Sequence, residues 1–427
     1  MKILWITNSI LPDLAKALKI RHLPFEGWLV DLAQEISKKP DVELIIATSQ
    51  KNKGRFYTKI ANISYYMLET KKPNTVYDSY LEKQWEDIIN KVNPDIIHLQ
   101  GSESANALPL IKINPSGNYV LSIQGLISVY ARYYLAGLSL KDVLKSLTIR
   151  SFIKKDSILN EQKSFTIRGN KIEKEYFKKV QHFIGRTSWD FAHTKYMSND
   201  GTYHFCNEML RSQFYKEEPW QLEKCTPYSI FISQGNYPIK GMHQVLNALI
   251  LLKTEFPNVK LFFAGRDILT TQKGLKNKIK EKNYGKYLRK FIRSNKLENS
   301  VFYLGTLGEK EMIKAYKNAN VFICPSSIEN SPNSLAEAQM LGVPCIASYV
   351  GGNMDMVEDG TSGLLYRFEE FEMLAQKVSA LFKDEKLSQT LSTNGRKAAL
   401  KRHHKETIIE KTISIYNTIN KIETLKS

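Results

Sequence analysis

Two glutamates eight residues apart mark the stretch of this sequence that has the most chemical content. Residues 321–366 begin with an apolar strand, continue through a polar loop that contains Glu329, and enter a helix that carries Glu337. We expect Ser331 or Asn333 to cap that helix, because both side chains accept hydrogen bonds from backbone amides. The amides and the dipole at a helix start attract an anion such as phosphate. The sequence therefore predicts an anion site flanked by two carboxylates.

The two carboxylates cannot favour a phosphate themselves, so they need another role. An ionised carboxylate accepts hydrogen bonds from neutral hydroxyl groups. Glu329 and Glu337 would place one such acceptor on each side of the anion site. A nucleotide sugar has this layout, with a ribose, a diphosphate and a sugar in succession. The spacing therefore favours a nucleotide-sugar site.

The fold is indicated by short apolar, β-branched runs that alternate with longer amphipathic stretches. Runs that are apolar throughout are typical of parallel strands covered on both faces. The alternation predicts an α/β fold with two doubly wound domains of about 200 residues each. We place the first domain at 1–220, with a basic insertion at about 130–180, and the second at 221–404. A helix at 405–427 is expected to pack back on the first domain.

The region around Glu329 resembles a known family. Its pattern, E-x-x-P-N-x-x-x-E over 329–337, is similar to that of retaining glycosyltransferases of family 4, the glycosyl transferases group 1, which have the GT-B fold. The segment from Gly235 through Asn236 to Lys240 resembles the phosphate loop of that family, and 94–98 resembles a strand motif of its N-terminal domain. The following glycines also fit the likeness: Gly342, Gly351, Gly352, Gly360 and Gly363. The resemblance implies two Rossmann-like domains that face each other across a cleft.

The resemblance also implies roles for individual residues. Glu337 would bind the ribose hydroxyls of the donor, and Glu329 would bind hydroxyls of the transferred sugar. Asn333 and Ser331 would lie beside them at the donor. Lys240 would neutralise the diphosphate as it leaves, since a fixed cation stabilises charge that develops there. Glu329 is then a binding group and not a nucleophile.

The sequence departs from the family pattern at two positions. The family usually has an arginine where this chain has Asn236, so Arg266 and Arg186, which both follow predicted strands, are candidates to supply the cation. Many members have a histidine where this chain has Gln124. A glutamine can bind a sugar but cannot shuttle a proton, which is compatible with front-face displacement, where the leaving phosphate takes the proton of the acceptor.

Three positions in the first domain are assigned to the acceptor or the cleft. Gly27 resembles the glycine loop near the donor phosphates and the acceptor, although a simple helix-start glycine is the alternative. His98 stands at the end of a predicted strand and is either a cleft residue or a packed histidine. Arg186 is a cleft residue or a surface arginine.

The net charge of +18 is concentrated in two windows. Residues 101–200 hold 15 Lys and Arg against 8 Asp and Glu, and residues 251–300 hold 13 against 4. Such an excess indicates a surface for an anionic partner, or else a lysine-rich composition on solvated helices. Aromatic, cationic and apolar residues alternate at 130–180, so we expect this segment and 271–296 to touch an anionic membrane. The alternative for 130–180 is an insertion that packs on its own domain.

Several protein classes are disfavoured. No run approaches the ~18 apolar residues of a membrane span, and the first ten residues resemble a strand more than a secretory signal. The four cysteines are scattered, which argues against structural zinc and disulfides. No nucleic-acid-binding motif is present. We expect a cytoplasmic protein, peripheral on the inner face of the membrane at most, without a nucleic-acid partner.

The predicted function is a hexosyltransferase that retains anomeric configuration. It would move a sugar from a nucleotide-sugar donor, UDP-linked, to a glycan or lipid-linked glycan in the synthesis of capsule, exopolysaccharide or a similar cell-surface polysaccharide. No metal or other cofactor is implied, because no DxD-type pair stands at a suitable strand end. The alternatives are a GT-B-fold UDP-sugar epimerase, which Gln124 disfavours, and a non-enzymatic protein that binds nucleic acid or membranes.

Overall fold

A computed structural model describes residues 1–20, 27–269 and 281–424, which divide into two compact units. Unit 1 comprises Met1–Val129, Thr166–Ser212 and His403–Ser427. Unit 2 comprises Tyr130–Phe165 and Gln213–Arg402. Each unit is built on its own parallel sheet, as the alternation of apolar runs and amphipathic stretches predicts.

Unit 1 contains, within the described residues, an eight-stranded sheet. Its strands are β1 (Lys2–Thr7), β2 (Glu43–Lys51), β3 (Phe56–Ile60), β4 (Ile63–Thr70), β5 (Ile96–Gln100), β6 (Tyr119–Ser122), β7 (His182–Gly185) and β8 (Thr202–Phe205). The order across the sheet is β3-β4-β2-β1-β5-β6-β7-β8. Neighbouring strands are parallel except β3 and β4, which form an antiparallel hairpin. The loops after β6, β7 and β8 therefore leave the sheet at the same edge.

Unit 2 contains a second sheet, six-stranded within the described residues. Its strands are β9 (Ser229–Ile232), β10 (Lys260–Phe263), β11 (Val301–Tyr303), β12 (Val321–Cys324), β13 (Cys345–Ser348) and β14 (Leu364–Tyr366). The order β11-β10-β9-β12-β13-β14 is the doubly wound Rossmann order, and every neighbouring pair is parallel. The direction of winding reverses between β9 and β12, and ligands bind at such a reversal, beyond the carboxyl ends of the strands.

Helices connect the strands of both sheets. They are α1 (Pro12–Ala17), α2 (Gly27–Ser37), α3 (Tyr80–Val92), α4 (Leu108–Ile113), α5 (Ile127–Tyr130), α6 (Leu140–Lys145), α7 (Ile149–Lys154), α8 (Ile158–Arg168), α9 (Lys174–Lys179), α10 (Ser188–Met197), α11 (Ser212–Lys216), α12 (Met242–Glu255), α13 (Asn283–Ser294), α14 (Glu309–Lys317), α15 (Asn333–Met340), α16 (Asn353–Met356), α17 (Phe371–Lys383), α18 (Glu385–Arg402) and α19 (Lys405–Thr424). Among the described residues, no helix has both the length and the apolarity that crossing a bilayer requires.

The core of unit 1 occupies both faces of its sheet. Trp85, on the apolar stripe of α3, packs on one face with Phe183 of β7. The other face is covered in part by α19, whose buried side chains include Ile415 and Tyr416. The Trp5 indole donates a hydrogen bond to the Tyr416 hydroxyl at 3.0 Å. The C-terminal helix is therefore part of the unit 1 core.

The basic insertion is divided between the two units. Residues 130–180 were expected in the first domain, but Tyr130–Phe165 packs within unit 2, and only the part from Thr166 onward belongs to unit 1. The Ser327 hydroxyl donates to the Tyr133 carbonyl at 3.0 Å, and the His243 Nε2 atom bonds the Ala136 carbonyl at 2.7 Å. These backbone contacts are invisible to composition and spacing, which explains the wrong assignment.

The second basic window is described in part. Helix α13 carries Arg289, Lys290 and Arg293, and its apolar stripe includes the buried Leu288 and Ile292. The basic residues of this window at 270–280 lie outside the described residues.

Candidate functional site

The switch point of unit 2 brings together the loops that follow β9 and β12. The β9 loop contains Gly235 and Asn236, makes a short 3₁₀ turn at Pro238–Lys240, and enters α12 through Gly241. Gly241 has a φ of +67°, and a Cβ there would lie 1.7 Å from the carbonyl oxygen of Pro325 in the β12 loop. Only glycine allows this close approach of the two backbones.

A buried ion pair joins the two loops. The Lys240 Nζ atom donates to the Glu329 Oε1 atom at 2.5 Å, and the Ser326 hydroxyl donates to the same oxygen at 2.7 Å. The side chains of Lys240 and Glu329 are only 15% and 8% exposed. Burial disfavours the charge on Lys240, but the Glu329 carboxylate together with the Tyr237 and Tyr130 phenols outweighs that cost, so the pKa of the ammonium is raised. The site therefore contains a fixed cation at neutral pH.

The glycine pair predicted downstream supports Glu329. Gly351 has a φ of +53°, and a Cβ there would lie 1.8 Å from the Glu329 carbonyl oxygen. The Gly352 amide donates to that same carbonyl at 3.0 Å. The loop after β13 thus holds the backbone of Glu329 in place.

The motif helix α15 begins differently from the expectation. Its N-cap is Pro332, without a side-chain cap, since the Pro332 carbonyl accepts the first helical bonds from Leu335 and Ala336. Asn333 is therefore the first helical residue. The Ser331 hydroxyl contacts the Met356 sulfur at 3.5 Å. The prediction that Ser331 or Asn333 caps this helix is wrong.

Glu337 lies within α15 and is buried. The Tyr316 hydroxyl, on α14, contacts the Glu337 Oε2 atom at 3.4 Å and donates to the Ser334 carbonyl at 3.0 Å. Tyr316 was not among the predicted site residues. It belongs to a helix whose sequence reads as an ordinary amphipathic stretch.

Arg266 follows β10, the strand next to β9, and is exposed. The preceding Gly265 has a φ of +104°, and a Cβ there would lie 3.9 Å from the Asn236 side-chain oxygen. Arg266 is therefore on the loop adjacent to Asn236, and Asn236 occupies the position at which the resembled family usually has an arginine. No group of three or more His, Cys, Asp or Glu side chains that could hold a metal occurs among the described residues.

Two tyrosines near the ion pair were not predicted. The Tyr237 ring centre lies 5.9 Å from the Lys240 Nζ atom. Burial raises the pKa of the Tyr130 phenol, the charge on Glu329 raises it further, and Lys240 opposes the shift. Tyr130 therefore adds an aromatic group from the basic insertion to the surroundings of the Lys240–Glu329 pair.

The edge of the unit 1 sheet contains a second buried ion pair. The Arg186 Nη1 atom donates to the Glu208 Oε1 atom at 2.5 Å, with side chains 4% and 7% exposed. The Gln124 amide donates to the same Glu208 oxygen at 2.8 Å, and its own oxygen accepts from Arg186 at 3.3 Å. Gln124 and Arg186 are thus brought together, by a glutamate that the sequence analysis did not identify.

Arg186 is a poor candidate for the cation missing at Asn236. Its charge is matched within unit 1 by Glu208, and its side chain is almost fully buried. The alternative of a surface arginine is equally wrong. Between the two candidates, Arg266 is the one that stands at the sheet edge of unit 2.

His98 is a packed histidine, not a cleft residue. It is 2% exposed, its Nε2 atom bonds the Ser122 hydroxyl at 2.7 Å, and its Nδ1 atom bonds the Tyr416 hydroxyl at 2.5 Å. Burial lowers its pKa to about 3. Of the two alternatives, the packed histidine is the correct one, because His98 belongs to β5 itself and its ring lies in the core.

Gly27 is the first residue of α2. A Cβ at Gly27 would lie 2.7 Å from two side-chain carbons of Arg211. Glycine at this position therefore leaves space for the Arg211 side chain, which was not among the predicted site residues. Its acceptor role remains a prediction.

Comparison with known proteins bears on both units. Residues 214–398 match the family model described as glycosyl transferases group 1. The capsular polysaccharide biosynthesis glycosyltransferase CapM of Staphylococcus aureus is 31% identical over 43% of this chain and 44% of its own length. The N,N'-diacetylbacillosaminyl-diphospho-undecaprenol alpha-1,3-N-acetylgalactosaminyltransferase of Campylobacter jejuni is 27% identical over 29% of this chain and 32% of its own length. The chain spans less than half the length of these curated relatives.

Solved structures resemble nearly the whole chain. The sucrose-phosphate synthase of Thermosynechococcus elongatus superposes with a TM-score of 0.71 at 14% identity, covering 98% of each chain. The Anabaena protein HepE, in complex with UDP and glucose, gives 0.65 at 15% identity over 98% of this chain and 100% of its own. These likenesses confirm the predicted GT-B fold. The matched residues, 214–398, contain both the predicted phosphate loop and the Glu329–Glu337 motif.

Proposed function

We propose that this chain is a retaining glycosyltransferase that moves a sugar from a UDP-sugar to a glycan or lipid-linked glycan in cell-surface polysaccharide synthesis. The observation that carries the proposal is the buried Lys240–Glu329 pair at the switch point of unit 2. It sets a permanent cation beside an acceptor of hydroxyl hydrogen bonds, which are the two features that a sugar diphosphate requires.

The comparisons support the choice of substrates. The HepE structure contains UDP and glucose, which favours a UDP-linked donor. The Campylobacter relative is named for an undecaprenol-linked acceptor, and the Staphylococcus relative is named for capsule biosynthesis. A membrane-anchored glycan is therefore the acceptor class that we propose.

In the proposed reaction, the bond between the anomeric carbon and the β-phosphate oxygen breaks. A bond to the acceptor oxygen forms on the same face, and the acceptor proton moves to the leaving phosphate oxygen. Lys240 stabilises the charge that builds on the diphosphate, and Arg266 supplies a second cation from the neighbouring loop. Glu329 holds the sugar and Glu337 holds the ribose. The scheme needs no divalent metal.

The test is a screen of UDP- and GDP-sugars for nucleoside diphosphate release, with and without glycan acceptors. We expect turnover of a UDP-sugar that persists in EDTA, with an anomeric configuration, read by NMR, that is the same in product and donor. Arg266→Gln is expected to raise the donor KM, with Lys310→Gln, at an exposed position in the same unit, as the control. Absence of turnover with every donor would overturn the proposal, and epimerised donor without acceptor consumption would favour the epimerase.

A further inference from the structure

Helices α6 and α7 direct apolar side chains away from the core. Leu140 and Leu144 on α6 are 62% and 55% exposed, and Ile149, Phe152 and Ile153 on α7 are 52%, 71% and 59% exposed. The spacing of four residues on α6, and of three and four on α7, places each set on one face of its helix. Such a stripe normally packs against a core. A contiguous exposed apolar patch marks an interaction site.

Cations accompany this apolar patch. Lys141, Lys145, Lys154 and Lys155 are exposed on the same two helices or directly after them. Residues 130–165 contain seven Lys and Arg against three Asp and Glu. Arg150 is an exception, since it pairs with Asp156 at 2.6 Å.

The second basic window lies against the first. The Thr148 hydroxyl, between α6 and α7, contacts the Glu281 carbonyl at 2.9 Å and the Asn283 side-chain oxygen at 3.0 Å. Lys286 of α13 donates to the Leu147 carbonyl at 2.6 Å. The segments around Thr148 and Lys286, which are more than a hundred residues apart in sequence, therefore adjoin within unit 2. Helix α13 adds further exposed cations, Lys290 and Arg293.

We propose that α6, α7 and α13 form one lipid-binding surface for an anionic bilayer. The exposed apolar side chains would enter the boundary between headgroups and acyl chains, while the surrounding lysines and arginines contact the headgroups. Charge complementarity favours this partner over a second copy of the chain, because two such cationic surfaces would repel each other. The surface adds a partner to the proposed transferase and does not depend on its donor site.

The experiment is flotation of the full chain with vesicles of phosphatidylglycerol and phosphatidylcholine, against vesicles of phosphatidylcholine alone. One variant combines Leu144→Ser, Phe152→Ser and Ile153→Ser, and its control combines Met354→Ser, Met373→Ser and Leu400→Ser, which are also exposed in unit 2. A second variant changes Lys141, Lys145, Lys154 and Lys155 to Gln. Its control changes the exposed residues Lys310, Lys386, Lys397 and Lys401 to Gln.

Each test variant is expected to lower the partition coefficient for anionic vesicles about tenfold or more, because one loses apolar insertion into the bilayer and the other loses cations that attract the headgroups. The control variants should bind like the wild type. Phe152→Trp should show a blue shift in emission when anionic vesicles are added. Equal binding of test and control variants would overturn the proposal.

Light scattering, which reports the oligomeric state, tests whether a second copy of the chain covers the patch instead. A dimer that dissociates in the apolar variant, without vesicle binding by the wild type, would assign the patch to a second copy and overturn the lipid proposal. Flotation needs no donor, so failure of UDP-sugar turnover would count against the transferase alone.

Discussion

The sheet edges of the two units each hold a buried ion pair, but the pairs differ in how they are built. In unit 2, Lys240 and Glu329 come from the two loops that flank the switch point, and both belong to recognisable glycine-containing motifs. In unit 1, Arg186 and Glu208 follow neighbouring strands, and no sequence motif predicts the position of Glu208. The family model covers the first pair and not the second. The unit 2 pair is therefore determined by local sequence motifs, whereas the unit 1 pair depends on how the strands are arranged in the sheet.

The largest effect is expected from breaking the unit 2 pair. Lys240→Met removes the cation that would stabilise the leaving diphosphate, so kcat for UDP-sugar turnover should fall about 10²–10³-fold. Steady-state release of UDP is the measurement, with circular dichroism to confirm folding. Lys310→Met, at an exposed position in the same unit, is the control. Turnover close to that of the wild type would remove Lys240 from the mechanism.

Breaking the unit 1 pair should instead affect stability. Arg186→Met leaves the Glu208 carboxylate buried without its cation, which should lower the free energy of unfolding by roughly 3 kcal/mol. Urea denaturation is the measurement. The double change Arg186→Met and Glu208→Leu should recover part of the loss, because no charge then remains buried. If Arg186→Met alone is as stable as the wild type, the Arg186–Glu208 pair is not buried as described.

A pair of glycines tests the support of Glu329. Gly351 and Gly360 both have positive φ, at +53° and +76°, so alanine costs roughly 1–2 kcal/mol of backbone strain at either position. Only at Gly351 would the added Cβ meet the Glu329 carbonyl, whereas Gly360 has no neighbour within 4 Å. Gly351→Ala should raise the donor KM about tenfold, and Gly360→Ala should leave it nearly unchanged. Equal donor KM values for the two variants would show that Gly351 does not support the proposed donor site.

The last effect, on the pH dependence of stability, concerns His98 in the core of unit 1. Burial lowers its pKa to about 3. Between about pH 6.5 and pH 3 the unfolded chain binds a proton that the folded chain does not. The stability that neutral His98 contributes is therefore complete above pH 6.5 and is lost as the pH is lowered. At pH 5 the loss is about 2 kcal/mol. Urea unfolding at pH 7 and pH 5 should show a smaller difference for His98→Gln, and an unchanged difference would contradict the shift.

Sequence reasoning was most accurate where a local pattern determines the structure. The order of apolar strand, polar loop and helix from residue 321 onward was predicted, and β12, the loop with Glu329 and α15 follow one another in that order. The two sheets followed from apolar runs, and the loops after β9 and β12, where we propose that the donor binds, were singled out by their spaced glycines and glutamates. In each of these cases the determining residues are close together in the sequence.

The remaining features depend on contacts between distant segments. Glu208 meets Arg186 only because β7 and β8 are neighbours, and His98 is buried because α19 closes over β5. The unit that receives 130–165 is decided by hydrogen bonds such as that from Ser327 to Tyr133. A single sequence carries no local signal for such pairings.

The central claim is that the donor binds at the Lys240–Glu329 edge of unit 2 and not at the Arg186–Glu208 edge of unit 1. Isothermal titration of UDP into the wild type, Lys240→Met and Arg186→Met tests it most directly, at a temperature where all three are folded. We predict that Lys240→Met weakens UDP binding at least about tenfold, as expected for a lost charge-assisted contact, and that Arg186→Met binds like the wild type. Unchanged affinity in Lys240→Met, or loss of affinity only in Arg186→Met, would contradict the claim.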